Sequence, residues 1–446
     1  MRWRLLIFKS DNMNGEMING FSRLSKNEKI SCISALLGDE GFAAEAISYS
    51  HPEKQELFDS FSENTLTNYM LPFGIAPNFL INGKVYHVPM VVEESSVVAA
   101  ASAAAKFWST RGGFQAKVIS TLKKGHVHFL WPGNPETLIN SFPALKKNLL
   151  KGTLPLTKRM QERGGGIVDI KLEDFSSRLD GYYRLAVDFE TADSMGANFI
   201  NTVLEEMAGI LREFAQVNFS GKDGHIEVIM SILSNHVPEC LVECTVSCLV
   251  SSLDKVDGET PADVFARKFK IAVDIACLDP YRAATHNKGI MNGIDAVVIA
   301  TGNDFRAVEA GAHTYASADG YKSLSKVEIE NGNFIFSLKL PLAIGTVGGL
   351  TALHPMAKRA MQILGNPSAR ELMGIIASVG LANNFSAVKA LVTKGIQQGH
   401  MKMHLSNMLI PYNLGADKKK MVEDYFQSRP VSYAAVSEYI NQIISK

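Results

Sequence analysis

The chain has 446 residues, which is enough for two or three domains or for one large domain with an insertion. Lysine plus arginine and aspartate plus glutamate both total 45, so the formal net charge is zero, and neither a nucleic-acid-binding surface nor a basic membrane-facing patch is expected. No apolar run approaches the roughly eighteen residues of a membrane span and the N-terminal run 5–8 is too short for a signal peptide, so we expect a cytoplasmic protein.

The first 120 residues are predicted to hold helices and one pair of strands. Residues 1–60 are amphipathic and helical in pattern, and "APNFLINGKVYHVPMVVEE" (76–94) alternates like two strands around a turn at Asn82-Gly83. The alanine-rich segment 95–113 follows as a helix, with serine as its N-cap and two glycines at its end. Small side chains along this helix indicate close packing against another element or a ligand.

Residues 121–227 differ from the rest because strands and helices alternate in them. Their order is strand, helix, strand, strand, helix, strand, which is the split-βαβ pattern of ferredoxin-like folds, with the last strand in "IEVIMSILSN" (226–235). The predicted fold class is therefore α+β. A large, mostly helical domain comprises residues 1–120 and 228–394, the module at 121–227 is inserted into it, and a helical segment follows at 395–446.

Three of the five cysteines recur every four residues in "ECLVECTVSCLV". A metal or redox cluster is one interpretation. However, cysteine and valine alternate at the even positions from 240 to 250, which favours a strand whose buried face carries Cys240, Cys244 and Cys248. Free cysteine behaves as a small buried hydrophobe, and its use here fits a reducing compartment.

Four residues in glycine-rich or apolar contexts are candidate acid–base groups: Glu94, Lys288, Asp304 and His400. Each also has a structural explanation, as a capping carboxylate, a snorkelling lysine, a helix N-cap and an isolated structural histidine respectively. Together they make a general acid–base set with a cation that stabilises an oxyanion. Their spacing does not show whether they meet. The glycine-rich "IGTVGGLT" (344–351) matches neither the P-loop nor the G-x-G-x-x-G pattern.

Long motifs indicate a family. The segments "VPMVVEESSVVAAAS" (88–102), "DSMGANFINT" (193–202), "DPYRAATHNKGIMNGID" (279–295), "TGNDFRAVEAGAHTYAS" (301–317) and "GIQQGHM" (395–401) resemble class II 3-hydroxy-3-methylglutaryl-CoA reductase, the soluble bacterial type. The resemblance covers nearly the whole chain beyond the first fifty residues. It implies an NAD(P)H-dependent oxidoreductase that reduces the hydroxymethylglutaryl-CoA thioester to mevalonate and releases CoA.

The resemblance also implies roles for individual residues. Glu94, Lys288 and Asp304 match the family's catalytic residues, and His400 matches the histidine of its C-terminal flap. Positions that hold the hydroxymethylglutaryl group are Ser96, Arg282 and Asn292, and positions that line the cofactor site are Asp193, Met195, Gly196, Asn198 and Asn235. The family is a homodimer with active sites at the subunit interface, uses no metal, binds substrate and CoA on the large domain, and binds its dinucleotide on the split-βαβ module.

The implied reaction explains why these residue types are needed. When a hydride reaches the thioester carbonyl, negative charge grows on the oxygen, and we expect a buried Lys288 ammonium to stabilise it in a dry site. His400 is expected to protonate the departing CoA thiolate. Glu94, kept protonated by burial and by a nearby Asp304, is expected to supply a proton when the aldehyde is reduced.

Two departures from the family pattern concern a helix start and the cofactor. Ser95 stands where the family usually has proline, and a serine cap is expected to replace it with little functional change. Members that prefer NAD carry an aspartate a few residues before the "GGG" turn. Here that region is "LTKRMQERGGG", with Thr157 near the position and Lys158 and Arg159 beside it. Two bases and no acid predict that NADPH is used at least as well as NADH.

Two alternatives remain open. One is the same enzyme working in the oxidative direction, consuming mevalonate with NAD and CoA, which a strong preference for the NAD cofactor would favour. The other is a non-catalytic dimeric CoA-binding protein that has kept the fold. Loss of any of the four catalytic matches would favour the second alternative, and all four residues are present.

Overall fold

The structure is a computed structural model, and it describes residues 17–39, 41–219, 221, 225–254, 256–393, 405, 408–426, 429 and 431–444. The chain divides into two compact units, Met1–Pro72 and Phe73–Lys446. The three-part division predicted from the sequence is a different one, and it stays a prediction.

The described part of the first unit is helical, as its pattern predicts. Its helices are α1 (Lys26–Leu37), α2 (Gly41–Ser48) and α3 (Gln55–Asp59). Helix α1 starts at a capping box, in which the Ser25 side chain accepts from the Glu28 N–H and the Glu28 carboxylate accepts from the Ser25 N–H. An ion pair between Lys26 and Asp59, 2.8 Å long, ties α1 to α3.

The second unit contains the rest of the described secondary structure. Its strands are β1 (Phe73–Ile81), β2 (Lys84–Val91), β3 (Gln115–Val118), β4 (Lys123–Leu130), β5 (Gly166–Asp174), β6 (Tyr182–Glu190), β7 (Glu227–Ser234), β8 (Leu241–Leu249), β9 (Ser325–Glu330) and β10 (Asn333–Pro341). Its helices are α4 (Val97–Ser109), α5 (Pro135–Gly152), α6 (Leu154–Gln161), α7 (Ala197–Asn218), α8 (Ala262–Leu278), α9 (Pro280–Ala300), α10 (Phe305–Ala316), α11 (Gly349–Leu353), α12 (Pro355–Ile363), α13 (Ala369–Val392), α14 (Ala416–Tyr425) and α15 (Tyr433–Ile444).

Strands β4 to β7 form an antiparallel sheet in the order β5-β6-β4-β7. This is the strand order of the split-βαβ fold, and we call residues 123–234 the split-βαβ module. Helices α5 and α7 cover one face of the sheet with apolar side chains such as Leu145 and Leu204, which are fully buried. Strand β7 pairs with β4 along its whole length. The last strand, predicted within 226–235, therefore belongs to this sheet and runs past the predicted boundary at residue 227.

The central core packs a second antiparallel sheet, in the order β3-β8-β10-β9, against helices α4, α8, α9 and α13. Strand β8 carries the predicted cysteine face: Cys240, just before it, and Cys244 are buried, and Cys248 is half-buried. Among the described residues, α13 is the one helix long and apolar enough to cross a bilayer, and 67% of its apolar stretch is buried inside the protein. Its composition is that of a core helix.

Strands β1 and β2 form the predicted hairpin. Asn82 and Gly83 at its tip have φ angles of 48° and 81°, the two positive values that a type I′ turn requires. Helix α4 then packs on β1 and α13 through fully buried alanines, among them Ala101 and Ala105. The small side chains therefore serve close helix packing.

The described part of the C-terminal segment is helical, as predicted. Helices α14 and α15 have a small apolar cluster of their own, which includes Val422, Phe426, Val436 and Ile440.

Candidate active site

Lys288 lies on α9, which begins at a side-chain cap. The Asp279 carboxylate accepts a hydrogen bond from the Tyr281 N–H at 2.9 Å. Apolar residues of α9 such as Ile290 are fully buried, whereas the Lys288 side chain is 64% exposed. The predicted burial of Lys288 is therefore wrong for the single chain. Successive helical residues point about 100° apart, so apolar neighbours in sequence enter the core while Lys288 points away from it.

Glu94 follows strand β2 and meets Lys288 beside the start of α4. Glu94 Oε2 accepts from Lys288 Nζ at 3.2 Å, and Glu94 Oε1 accepts from Ser96 Oγ at 3.3 Å. A serine, Ser96, occupies the N-cap position of α4 as predicted, but its side chain makes no capping bond. The structure thus brings three predicted residues together at the surface. The Glu94 side chain is 38% exposed, and its predicted burial is not seen either.

Asp304 is the N-cap of α10, which was one of its two predicted roles. Its Oδ1 accepts from the backbone N–H groups of Arg306 and Ala307 at 3.0 and 3.2 Å. Burial alone would raise the pKa of the Asp304 carboxyl, but hydrogen bonds from the Arg306 guanidinium and these backbone groups outweigh burial and hold the pKa below its usual range. Asp304 is therefore anionic. In the part of the chain that the structure describes, it bonds to neither Lys288 nor Glu94.

Asn303, which the sequence analysis did not single out, fixes the turn before Asp304. Its Oδ1 accepts from the Gly345 N–H at 2.8 Å, and its Nδ2 donates to Thr301 Oγ1 at 3.1 Å. The Thr351 hydroxyl donates to the Thr301 carbonyl at 2.9 Å. The glycine-rich segment 344–351 is thus the support on which this turn rests.

The same segment supports the predicted cofactor loop. We call residues 191–196, between β6 and α7, the DSMG loop. The Asp193 carbonyl accepts from the Thr346 N–H at 2.8 Å. A side chain at Gly345 would collide with the backbone nitrogen of Met195, so only glycine allows this approach. The turn that carries Asp304 and the DSMG loop are therefore fixed to one piece of backbone.

The other predicted cofactor residues differ in their surroundings. One Asp193 oxygen accepts from the Ala369 N–H at 2.7 Å and so helps to start α13. Gly196 is the N-cap of α7 with a φ of 88°. Asn198 lies exposed on the first turn of α7, and Asn235 lies exposed just beyond β7. These two amides are accessible to a ligand, as is the exposed Asp193.

The bases predicted to meet a 2′-phosphate are accessible. Lys158 and Arg159 lie exposed in the last turn of α6, just before the glycine turn 164–166. Neither side chain forms a hydrogen bond or an ion pair with any described residue, so both are open to an anion. Thr157, in contrast, is 1% exposed, and its hydroxyl donates to the Leu154 carbonyl at 3.4 Å.

Arg282 and Asn292 lie on α9 with Lys288, and both are half-buried. Asn292 follows Lys288 by four residues, which places the two on the same face of the helix. Burial lowers the pKa of the Arg282 guanidinium, which remains a cation. Among the described residues neither side chain has a hydrogen-bond partner, so both are open to a ligand.

His400 lies outside the described residues, so its predicted role is not tested by the structure. Within the described part of the chain, no group of three or more His, Cys, Asp or Glu side chains is arranged to hold a metal ion.

Comparison with known proteins places the chain in a family. A family model described as hydroxymethylglutaryl-coenzyme A reductase matches residues 26–405. The chain belongs to this family. The hydroxymethylglutaryl-coenzyme A reductase of Archaeoglobus fulgidus is 36% identical over 396 residues, which cover 88% of this chain and 86% of that protein. A protein of Borreliella burgdorferi described as a probable reductase of the same name is 32% identical over 405 residues, 89% of each chain.

Solved reductase structures agree with this assignment. The class II hydroxymethylglutaryl-CoA reductase of Streptococcus pneumoniae, bound to NADPH in open conformations, is 37% identical, with a TM-score of 0.70 over 84% of this chain and 99% of that one. A second structure of the Streptococcus pneumoniae reductase gives 34% identity and a TM-score of 0.71 over 95% of this chain. The predicted family is confirmed, and so is the prediction of an oxidoreductase with a mixed helix-and-sheet fold.

Proposed function

We propose that the chain reduces hydroxymethylglutaryl-CoA to mevalonate and CoA, using NADPH at least as well as NADH. The observation that carries this proposal is the contact of Lys288, Glu94 and Ser96, in which the Glu94 carboxylate lies 3.2 Å from the Lys288 ammonium and 3.3 Å from the Ser96 hydroxyl. Family membership supports the reaction, and the NADPH-bound Streptococcus pneumoniae reductase supports the cofactor.

Each side chain has a task in the two reductions. The Lys288 ammonium stabilises the negative charge on the thioester oxygen after the first hydride arrives. Collapse of this oxyanion expels the CoA thiolate, which His400 protonates. Glu94, which lies against Lys288, must be protonated before the second hydride arrives, and it then delivers that proton to the aldehyde oxygen. Asp304 supplies a fixed negative charge on the turn that Asn303 anchors.

The substrate's carboxylate end is assigned to α9 and the start of α4. Arg282 is a half-buried cation without a described partner, and Asn292 lies one helical turn beyond Lys288. A guanidinium matches the geometry of a carboxylate. Ser96 places its hydroxyl against Glu94 and so sits at the reacting end.

The split-βαβ module fits a phosphorylated dinucleotide, whose nicotinamide supplies the hydride when bound. Lys158 and Arg159 are exposed bases without partners among the described residues. Helix α7 begins at Gly196 with no side-chain cap and no acidic residue in its first turn, which leaves its N–H groups open to a negative charge. Asn198 and Met195 lie at this same helix start.

We also propose a cytoplasmic homodimer whose active sites lie at the subunit interface. A Lys288 side chain that is 64% exposed stabilises an oxyanion well only when something excludes water from it. The apolar residues Leu278 and Tyr281, at the junction of α8 and α9, are 84% and 90% exposed. A second copy of the chain on this face, together with the C-terminal flap of residues 395–446, would cover Lys288 and these two apolar side chains.

The test is a steady-state assay with hydroxymethylglutaryl-CoA and with NADPH and NADH side by side. We expect NADPH oxidation that depends on hydroxymethylglutaryl-CoA and is absent with acetyl-CoA, which lacks the carboxylate for Arg282. Oxidation of neither cofactor would contradict the proposed function. A strong preference for NADH would contradict the assignment of Lys158 and Arg159 and would favour the oxidative direction.

A further inference from the structure

Lys123 is a buried lysine that the reaction described above does not use. It is the first residue of β4 and is 4% exposed. Its ammonium donates to Thr191 Oγ1 at 2.6 Å and to the Ser194 carbonyl at 3.4 Å. Burial lowers the pKa of Lys123, and the nearby Cys240 and Glu190 oppose that shift. No described carboxylate forms an ion pair with this ammonium.

Burial of this ammonium lowers the stability of the fold. Burial strips water from an ammonium, and two neutral oxygens replace only part of that hydration. A methionine of similar length would fill the same space without this cost. Lys123 is also too enclosed to reach solvent with its ammonium, so it is not a snorkelling lysine. A buried charge that folding alone does not favour indicates a functional reason for it.

The two acceptors of Lys123 both belong to the DSMG loop. The Thr191 hydroxyl accepts from Lys123 and donates to the Ser194 carbonyl at 2.6 Å, which closes the loop on itself. A side chain at Gly196 would collide with Thr191, so the loop is wound tightly around this threonine. Ala192 has a φ of 49°, which is uncommon for a residue other than glycine. Such a conformation persists only where its surroundings hold it.

The Lys123 ammonium also lies close to the start of α7, because it bonds to Ser194, two residues before Gly196. Ser194 and Thr191 separate it from Gly196, where the uncapped helix presents its N–H groups. The helix terminus and the ammonium therefore add positive potential on the same side of the loop. An anionic ligand in front of the DSMG loop gains from both.

We propose that Lys123 is a positioning residue for the dinucleotide. Through Thr191 it holds the DSMG loop in its binding conformation, and its charge favours the anionic cofactor. This inference rests on the proposed function, because the DSMG loop is assigned to the cofactor there. It predicts that Lys123 determines cofactor affinity and leaves the binding of hydroxymethylglutaryl-CoA to Lys288 and its neighbours.

The first test measures the Kd of NADPH by fluorescence, together with the KM of hydroxymethylglutaryl-CoA, in Lys123→Met. We expect the NADPH Kd to rise about tenfold or more, the effect of losing a hydrogen bond to a charged group, while the KM of hydroxymethylglutaryl-CoA changes less than about twofold. Thr191→Val, which keeps the lysine but removes its acceptor, should raise the Kd less. Thr191→Ser, which keeps the hydroxyl, should restore wild-type binding.

The second test is the pH dependence of NADPH binding. The charged groups that face Lys123 are Glu190 and, through Cys240 and Thr121, Arg370. Wild-type affinity should fall as the pH rises through the lowered pKa of Lys123, because the ammonium loses its charge. The Lys123→Met protein should not show this fall, and Thr191→Val should keep it. A purely structural lysine would leave the pH profiles of wild type and Lys123→Met parallel.

The outcomes separate this inference from the proposed function. A folded Lys123→Met that binds NADPH like wild type overturns the role of Lys123 alone. If Lys123→Met does not fold, Thr191→Val decides, and an unchanged Kd in that variant overturns the inference. A folded wild type that binds neither NADPH nor NADH overturns the proposed function and the role of Lys123 with it.

Discussion

The surface of the central core and the junction of the split-βαβ module each contain a lysine beside a proposed binding site, in opposite environments. The Lys288 side chain is 64% exposed and pairs with the Glu94 carboxylate at 3.2 Å. Lys123 is 4% exposed and bonds only to the neutral oxygens of Thr191 and Ser194 among the described residues.

The difference separates two uses of an ammonium group. An exposed ammonium can meet a substrate and exchange protons, but water and salt weaken its field until the site is covered. A buried ammonium cannot touch a substrate, but it holds its acceptors rigidly and keeps its field. We therefore assign the chemistry to Lys288 and the shape of the DSMG loop to Lys123.

Removal of the exposed ammonium should have the largest effect on turnover. In Lys288→Ala we expect kcat to fall by about 10²–10³, as for the loss of one oxyanion donor, while the melting temperature stays close to wild type because the side chain is exposed. Lys326→Ala is the matched control, since Lys326 is 69% exposed and pairs with Glu328. A fall of less than about tenfold in Lys288→Ala would remove Lys288 from the oxyanion site.

The Asn303→Ala variant tests whether Asp304 and the DSMG loop both depend on the glycine-rich segment 344–351. Asn303→Ala removes the bond to Gly345, so Asp304 and the DSMG loop should both lose precision, and kcat/KM should fall about tenfold. Asn134→Ala is the control, because Asn134 caps α5 near the opposite end of β4. Loss of this cap should destabilise the fold by a similar amount. Equal kinetics in the two variants would show that Asn303 serves only the fold.

The two exposed bases at the end of α6, Lys158 and Arg159, test the choice between NADPH and NADH. In Lys158→Ala and Arg159→Ala we expect the ratio of kcat/KM for NADPH to that for NADH to fall, by up to about tenfold, through loss of charge-assisted bonds to the 2′-phosphate. Lys171→Ala, on the exposed part of β5, should leave the ratio unchanged. An unaltered ratio in both variants would show that neither base contacts the 2′-phosphate.

A half-buried acid on the helix of Lys288, Asp295, should have the smallest effect, and on stability only. Burial and the neighbouring Glu309 raise the pKa of Asp295 from its ordinary 3.8 to about 8. Between these values the folded protein binds more protons than the unfolded chain, so its stability falls as the pH rises from about 4 to about 8. Asp295→Asn should weaken this fall, as measured by melting temperature at both ends of the range. An identical pH dependence would contradict the shift.

Local patterns predicted much of the fold. Alternation identified the β1–β2 hairpin and the cysteine face of β8, and the order of elements identified the split-βαβ module. Its last strand was predicted as well, although the pairing of β7 with β4 joins residues about a hundred positions apart. Motif resemblance, not spacing, named the site residues.

Local sequence patterns did not predict how exposed the two lysines are, and the reasons differ. The burial of Lys288 depends on which face of α9 meets α13, and apolar neighbours in sequence gave the wrong answer. Lys123 did have a signal, since it shares the odd-numbered, helix-covered positions of β4 with Val127 and Phe129. The bond of Asn303 to Gly345 joins residues 42 apart and has no local signature.

The stoichiometry of the reaction tests the proposed reduction of hydroxymethylglutaryl-CoA most directly. Reduction of a thioester to a primary alcohol takes up two hydrides and releases one thiol. Purified wild-type protein with hydroxymethylglutaryl-CoA should therefore oxidise two NADPH for each CoA thiol released, with mevalonate as the product. One NADPH per thiol with accumulation of the aldehyde, or thiol release without NADPH oxidation, would contradict this two-step reduction.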